Sequence, residues 1–221
     1  MVRSAHPSAL AVILATLAFP ICALTLAIQL LAGTDYVRWT MARSAYPASP
    51  GFSREERLAA AVPSTRFILG AEPPETLAAL DLRGAPLYQA AEIAHLVDVR
   101  RVIGRIRLAG LLLAAAALIL LALRPRALRL GLARALSAGG MLLLSFLLVL
   151  GLGILVDWEA AFTGMHRLFF ADGTWQFAAD AALIRLFPDR FWYDTALALV
   201  GLLTLQGLVA LATAHALRPR V

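Results

Sequence analysis

Four stretches of this chain are apolar for long enough to cross a lipid bilayer, reading roughly 9–31, 108–123, 135–156 and 195–217. A helix needs about 20 apolar residues to cover roughly 30 Å of hydrocarbon. The second run is short for that, so its helix is expected to begin near Val102, with Arg105 and Arg107 snorkelling toward the headgroups. The fold class is therefore an all-α integral membrane protein of four transmembrane helices, at about 9–31, 102–123, 135–156 and 195–217. One membrane domain is expected over residues 1–221, with two polar segments of about 33–101 and 157–194 outside the lipid. A chain of 221 residues that is 61% hydrophobic, with a mean hydropathy of +0.78, lies well outside the soluble globular range. The first run is too long for the apolar core of a signal peptide and lacks a convincing small-residue cleavage site, so it reads as a retained anchor.

The charges suggest an orientation. An even number of spans puts both termini on one side, where Arg3, Arg124, Arg126, Arg129, Arg134, Arg218 and Arg220 stand without a single acid. Opposite them, residues 33–107 carry 10 Arg and 8 acids, and residues 157–194 carry 3 Arg and 6 acids. The positive-inside rule weighs short loops, and a long segment translocates largely regardless of its charge. The termini are therefore expected in the cytoplasm. The net charge of +6 then reflects anchoring to anionic lipid and calls for no nucleic acid.

Between the spans, the residues from Gly33 to Ser64 are punctuated by Pro47, Pro50, Gly51 and Pro63. Ser53-Arg54-Glu55-Glu56 is a capping box opening a short helix from Arg57 to Ala61. Pro73-Pro74 and Gly84-Ala85-Pro86 break the next stretch. From Leu87 to Gly104 no breaker intervenes, which predicts one helix entering the second span with Glu92, His95 and Asp98 along one side. In the other polar segment, Trp158, Phe162, Met165 and Phe169 form a narrow apolar stripe bordered by His166. Asp172-Gly173 is a stop, with glycine at the left-handed position. Thr174 is expected to cap a second short helix over Trp175–Phe187, ended by Pro188. Phe191, Trp192 and Tyr193 make an aromatic belt at the entry to the last span.

Ionisable groups are expensive near lipid, so those that persist there are functional candidates. Of the 4 histidines, His6 and His215 fall at the cytoplasmic ends of spans and read as interfacial polar residues. His95 and His166 both face outward in this topology, each beside acids. Imidazole is the general acid and base that works near neutral pH, and it can instead attack an ester as a nucleophile, making an acyl-imidazole. Glu92 and Asp98 bracket His95, and either could orient its tautomer. Asp157, Asp180 and Asp194 read as solvated acids at helix ends, and Trp175 and Trp192 as membrane anchors. The absence of Lys excludes Schiff-base and lysine-base chemistry. There is no G-x-S-x-G elbow. Residues 157–194 hold neither Ser nor Cys, and Ser44, Ser49, Ser53 and Ser64 sit in the loop-rich region. Cys22, the single cysteine, lies mid-span after Pro20-Ile21 and reads as a packing residue.

Two histidines and a carboxylate can suffice for zinc, although H-E-x-x-H is absent and one E-x-x-H is a weak signal. A metal-dependent membrane hydrolase is thus one alternative to a histidine acid/base enzyme. A non-enzymatic membrane partner or small transporter subunit is another. The latter should place polar residues inside its spans, where only Gln29, Ser145 and Gln206 are candidates.

Glu92-Ile93-Ala94-His95-Leu96-Val97-Asp98-Val99-Arg100 and the block from Val156 through His166-Arg167-Leu168-Phe169-Phe170 to Trp175, continuing over Leu186–Trp192, carry a resemblance. Their E-x-x-H-x-x-D-V and F-x-x-x-H-x-x-F-F…W patterns resemble the bacterial lipoprotein intramolecular transacylase family (Lit), as do the four spans and two outer segments. The resemblance implies transfer of the sn-2 acyl chain of a diacylglyceryl-cysteine lipoprotein to that cysteine's own α-amino group, leaving a lyso-form lipoprotein. It implies His95 and His166 as the catalytic pair, with Glu92, Asp98, Asp157, Trp175 and Asp180 as supporting candidates. The expected setting is the bacterial cytoplasmic membrane, with the site facing outward. Diacylglyceryl lipoproteins and membrane lipid are the expected partners, and no cofactor is expected.

Overall fold

The computed structural model describes residues 6–43 and 51–218. Arg3, Ser44, Pro47, Ser49, Pro50 and Arg220, named above, lie outside the described residues. Apolar backbone in lipid satisfies its own hydrogen bonds by coiling, and the four long runs do so as α1 (Ala9–Leu31), α5 (Ala90–Ala122), α6 (Leu128–Val156) and α9 (Asp189–Leu217). Between them lie α2 (Thr34–Ala42), α3 (Arg54–Ile68), α4 (Glu75–Ala78), α7 (Trp158–Phe169) and α8 (Ala182–Leu186). A two-residue antiparallel pair, β1 (Asp81–Leu82) with β2 (Ala85–Pro86), completes the set. Among the described residues, four helices are long and apolar enough to cross a membrane. The protein is a multi-pass membrane protein.

Two spanning helices are longer than expected, and a third has the polar extension expected of it. α5 begins at Ala90, where the Glu92 carboxylate turns back to accept the Gln89 N–H at 2.8 Å. Its first turns, residues 90–101, are the polar extension that carries Glu92, His95 and Asp98 ahead of the apolar run. α6 follows a 3₁₀ turn at Pro125–Ala127 and starts seven residues before the expected 135. α9 starts directly after Pro188, so the belt of Phe191, Trp192 and Tyr193 forms its first turn rather than a preceding linker.

The short elements bring three corrections. The Ser53 capping box is present with both reciprocal bonds, but its helix runs to Ile68, straight through Pro63. Proline costs a helix one hydrogen bond. Here Ala60, Ala61, Ser64 and Phe67 are buried on either side of it, and their packing carries the helix onward. The helix expected over Trp175–Phe187 shrinks to Ala182–Leu186. The Thr174 hydroxyl donates to the Ala171 carbonyl instead of capping, and the Gln176 side chain takes the Gly173 N–H. Residues two apart point to different sides of a helix, whereas the non-helical backbone lets Trp175 and Phe177 both reach histidines. Gly173 has the expected left-handed conformation, at φ 82°, but α7 already ends at Phe169, where Phe170 turns to extended backbone.

The chain divides into two compact units. One comprises the residues up to Ala27, Arg105–Leu152 and those from Val200 onward. Small residues bring its helices together: a Cβ on Gly139 would lie 2.9 Å from the Thr16 carbonyl oxygen, and one on Gly207 2.9 Å from the Leu144 side chain. Such close approach is how helices associate where hydrocarbon removes the hydrophobic drive. Leu111, Leu112, Ile119, Phe146 and Val149 point outward, as lipid-facing side chains must. The other unit, Ile28–Gly104 with Gly153–Leu199, has its own core. In it α3 packs against α2 and α8, and Val37, Phe67, Leu77 and Leu186 are almost fully buried. Every candidate site residue belongs to this second unit.

Candidate functional site

The site is assembled from three pieces of chain: the first turns of α5, helix α7, and the non-helical segment between α7 and α8. Glu92 is 2% exposed and both of its oxygens are used. One accepts the Gln89 N–H, and the other accepts the Leu183 N–H of α8 at 2.7 Å. Negative charge is favoured at a helix N-terminus, where amide donors lack partners within the helix. Glu92 thus ties the start of α8 to the start of α5, and His95 stands one turn further along the same helix. On α7, Asp157 caps the first turn by accepting the Ala160 N–H at 2.9 Å. The helix then presents Phe162 and His166 on one side.

The two imidazoles meet. Their centroids are 6.2 Å apart with planes 24° from parallel, and each residue is buried, His95 at 7% and His166 at 8% exposure. Aromatic rings surround them. Phe170 and Phe177 approach His95 edge-on at 4.9 and 5.6 Å. Phe162 lies 4.1 Å from His166, and Trp175 stacks on it at 4.7 Å. His166 Nδ1 is 2.9 Å from the Phe162 carbonyl oxygen, which can only accept. Nδ1 therefore carries the hydrogen, and the lone pair of the neutral ring sits on Nε2. His95 Nδ1 is buried with no hydrogen-bond partner.

The acids do not do what their spacing suggests. Glu92, Asp98 and Asp157 are the candidates to orient a ring, and their bonds run elsewhere. Glu92 holds backbone, Asp157 caps α7, and Asp98 pairs with Arg101 at 2.8 Å. Three or four residues along a helix is also the spacing of an ordinary surface ion pair. Asp98 acts on His95 only through its charge. Asp180 lies in an exposed turn between α7 and α8. Trp175, read as an anchor, is instead a wall of the pocket. Sequence reasoning saw Phe162 only as part of the stripe and the motif, not as the carbonyl that sets the His166 tautomer, and passed over Phe177. The one signal for Phe177 was its two-residue spacing from Trp175. Among the described residues no three His, Cys, Asp or Glu side chains gather in a way that could hold a metal ion.

Burial in this apolar pocket disfavours the charged imidazolium. It pushes His95 down from 6.5 to about 4, helped by the neighbouring His166 and opposed by the charge of Asp98. Burial also lowers His166, against the Phe162 carbonyl, which favours the protonated ring. Both rings are therefore neutral at neutral pH. Below pH 6.5 the unfolded chain takes up protons that the folded protein refuses. Stability should thus hold above pH 6.5 and fall as the pH drops toward 4. NMR titration of the two ring Cε1–H resonances in micelles should give midpoints below 6.5. A midpoint at or above 6.5 for either ring would mean that the pocket is wet.

Fold and site define a multi-pass membrane protein with a buried imidazole pair walled by aromatic rings. A model of the family "Lipoprotein intramolecular transacylase Lit" matches residues 13–192. An uncharacterized protein of Aquifex aeolicus is 26% identical over 207 residues, covering 88% of each chain. The in meso structure of the membrane integral lipoprotein intramolecular transacylase Lit from Bacillus cereus matches with a TM-score of 0.74 at 17% identity, covering 94% of both chains. A histidine point variant of that protein matches with a TM-score of 0.68 at 16% identity, covering 94% of this chain and 90% of that one. The chain belongs to the lipoprotein intramolecular transacylase family: it is a membrane enzyme that transfers acyl groups on lipoproteins.

Proposed function

We propose that the protein moves the sn-2 acyl chain of a diacylglyceryl-cysteine lipoprotein onto the α-amino group of that cysteine, with His95 and His166 as the catalytic pair. The observation that carries this reading is the convergence of two buried, neutral imidazoles, centroids 6.2 Å apart, in an aromatic pocket. An α-amine of pKa about 7.7–8.0 is largely protonated near neutrality. Its neutral fraction is the nucleophile, and the proton that the nitrogen sheds on attack passes to a neutral imidazole, for which His166 offers the lone pair of Nε2. The amine nitrogen attacks the ester carbonyl carbon, and the C–N bond forms. The bond from that carbon to the glyceryl oxygen then breaks, and an imidazolium returns a proton to the departing oxygen. Both reacting groups belong to one substrate, so much of the barrier is met by holding them in attack geometry. Walls of Phe162, Phe170, Trp175 and Phe177 keep water from competing with the amine.

The acid-free side with the short loop is cytoplasmic on this reading. That places the protein in the bacterial cytoplasmic membrane with its site facing outward, where diacylglyceryl lipoproteins and membrane lipid are its partners. No cofactor enters the chemistry.

The product has the same mass as the substrate, because nothing is added or lost. The test is therefore tandem mass spectrometry of a synthetic diacylglyceryl lipopeptide incubated with the purified protein in nanodiscs. Fragments carrying the acyl group on the cysteine nitrogen, with disappearance of the free amine, are expected. Release of free fatty acid with the amine intact would replace this reading with a hydrolase.

A further inference from the structure

The indole N–H of Trp175 is buried and has no hydrogen-bond partner. An indole nitrogen can only donate, and a buried tryptophan usually finds an acceptor for it. Trp175 stands on non-helical backbone, within the turn that the Gly173–Gln176 bond closes, next to the Thr174–Ala171 bond and ahead of the α8 start held by Glu92. Its ring nevertheless stacks on His166, 29° from parallel, in a pocket whose other walls are phenylalanines. The Phe162 carbonyl beside the rings is taken by His166 Nδ1. The other unpartnered buried atom in the pocket is His95 Nδ1. The pocket therefore holds one imidazole pair able to move protons and one neutral donor with nothing to bind.

We infer that Trp175 Nε1–H is the donor to the acyl carbonyl oxygen, which becomes an oxyanion during transfer. This rests on the reading of the histidine pair as the acyl-transfer site. When the amine nitrogen adds to the carbonyl carbon, the π electron pair moves onto oxygen. When the bond to the glyceryl oxygen breaks, that pair returns to re-form C=O. The amine proton passes to an imidazole and the glyceryl oxygen receives one back, while the indole keeps its proton throughout. A fixed donor aimed where charge develops costs no reorganisation at the moment of reaction. It also explains why the donor is left bare in the resting protein: a protein acceptor would compete with the substrate for it. Stacked against His166, the indole holds the carbonyl close to the ring that handles the proton.

Two variants test this, Trp175→Phe and the isosteric replacement of Trp175 by β-benzothienylalanine, which exchanges N–H for sulfur and keeps the bicyclic ring. The isostere should lose about 10²–10³-fold in kcat, with KM and the thermal unfolding midpoint unchanged, because the lost donor had no partner to abandon. Trp175→Phe should lose at least as much. Full kcat in the isostere would overturn the assignment, as would a raised KM at constant kcat. So would a kcat loss accompanied by a lowered unfolding midpoint, which would make the N–H structural. The histidine reading is checked separately. Active His95→Ala and His166→Ala proteins would remove the site itself, whereas inactive histidine variants beside a fully active isostere would retire the tryptophan alone.

Discussion

His166→Ala and His95→Ala should each fold and insert as the parent does while transacylation falls by about 10²–10⁴-fold, the usual cost of removing a general acid or base. The effect should appear in kcat rather than KM, since neither ring is needed to seat the acyl chains. Inactivity through unfolding is a poor alternative explanation. The Phe162 carbonyl that His166 contacts is already part of the α7 ladder, and His95 Nδ1 has no bond to lose. His6→Ala and His215→Ala serve as controls, because both residues are exposed and belong to the other compact unit. The measurement is turnover of a diacylglyceryl lipopeptide in nanodiscs, beside circular dichroism and the unfolding midpoint. Retained turnover in both His95 and His166 variants would end the mechanism; loss in one alone would make the other a wall residue.

The second large effect is expected at Glu92. Its carboxylate is buried and accepts two backbone N–H groups, one from residue 89 and one from residue 183. Replacing it by alanine leaves the Leu183 amide buried without an acceptor. An orphaned buried donor costs about 1–3 kcal/mol, more when the lost acceptor was charged. Glu92→Ala should therefore lower stability by about 3 kcal/mol, and Glu92→Gln by less, because one oxygen remains. Activity should fall as well, since the segment held at Leu183 carries Phe170, Trp175 and Phe177. Hydrogen exchange at the Leu183 amide localises the effect. An unchanged exchange rate in Glu92→Ala would show that the carboxylate does not hold α8.

How much could be read from residues alone depends on the range of each interaction. Ala9–Leu31 was legible to the residue because insertion depends only on a local run of apolar side chains. The Ser53–Glu56 box and the left-handed Gly173 were legible for the same reason: each closes within four residues. The helix expected after Thr174 failed because its competitor is non-local. Trp175 and Phe177 gain more by covering His166 and His95 than by coiling, and nothing within that segment announces those rings. Glu92 shows the same limit. Its spacing to His95 suggested a ring as partner, while its carboxylate holds two backbone amides, that of Gln89 and that of Leu183, 91 residues on. The pairing of His95 with His166 was suggested by the motif resemblance, since no periodicity links two helices so far apart in the chain.

Helix α7 has two faces, and the second has a kinetic meaning. While Phe162 and His166 turn inward, Leu168 points away at 76% exposure, and Met165 and Phe169, further along the stripe that holds Phe162, are each 44% exposed. Side chains of that kind belong in acyl chains, so the wall of the site is itself wetted by lipid. A diacylated substrate need never leave its leaflet to reach the histidines, nor the product to depart. The concentration that governs turnover is then a surface density, the mole fraction of lipoprotein among neighbouring lipids. Diluting the substrate with inert lipid slows such an enzyme even when nothing in the bulk volume has changed.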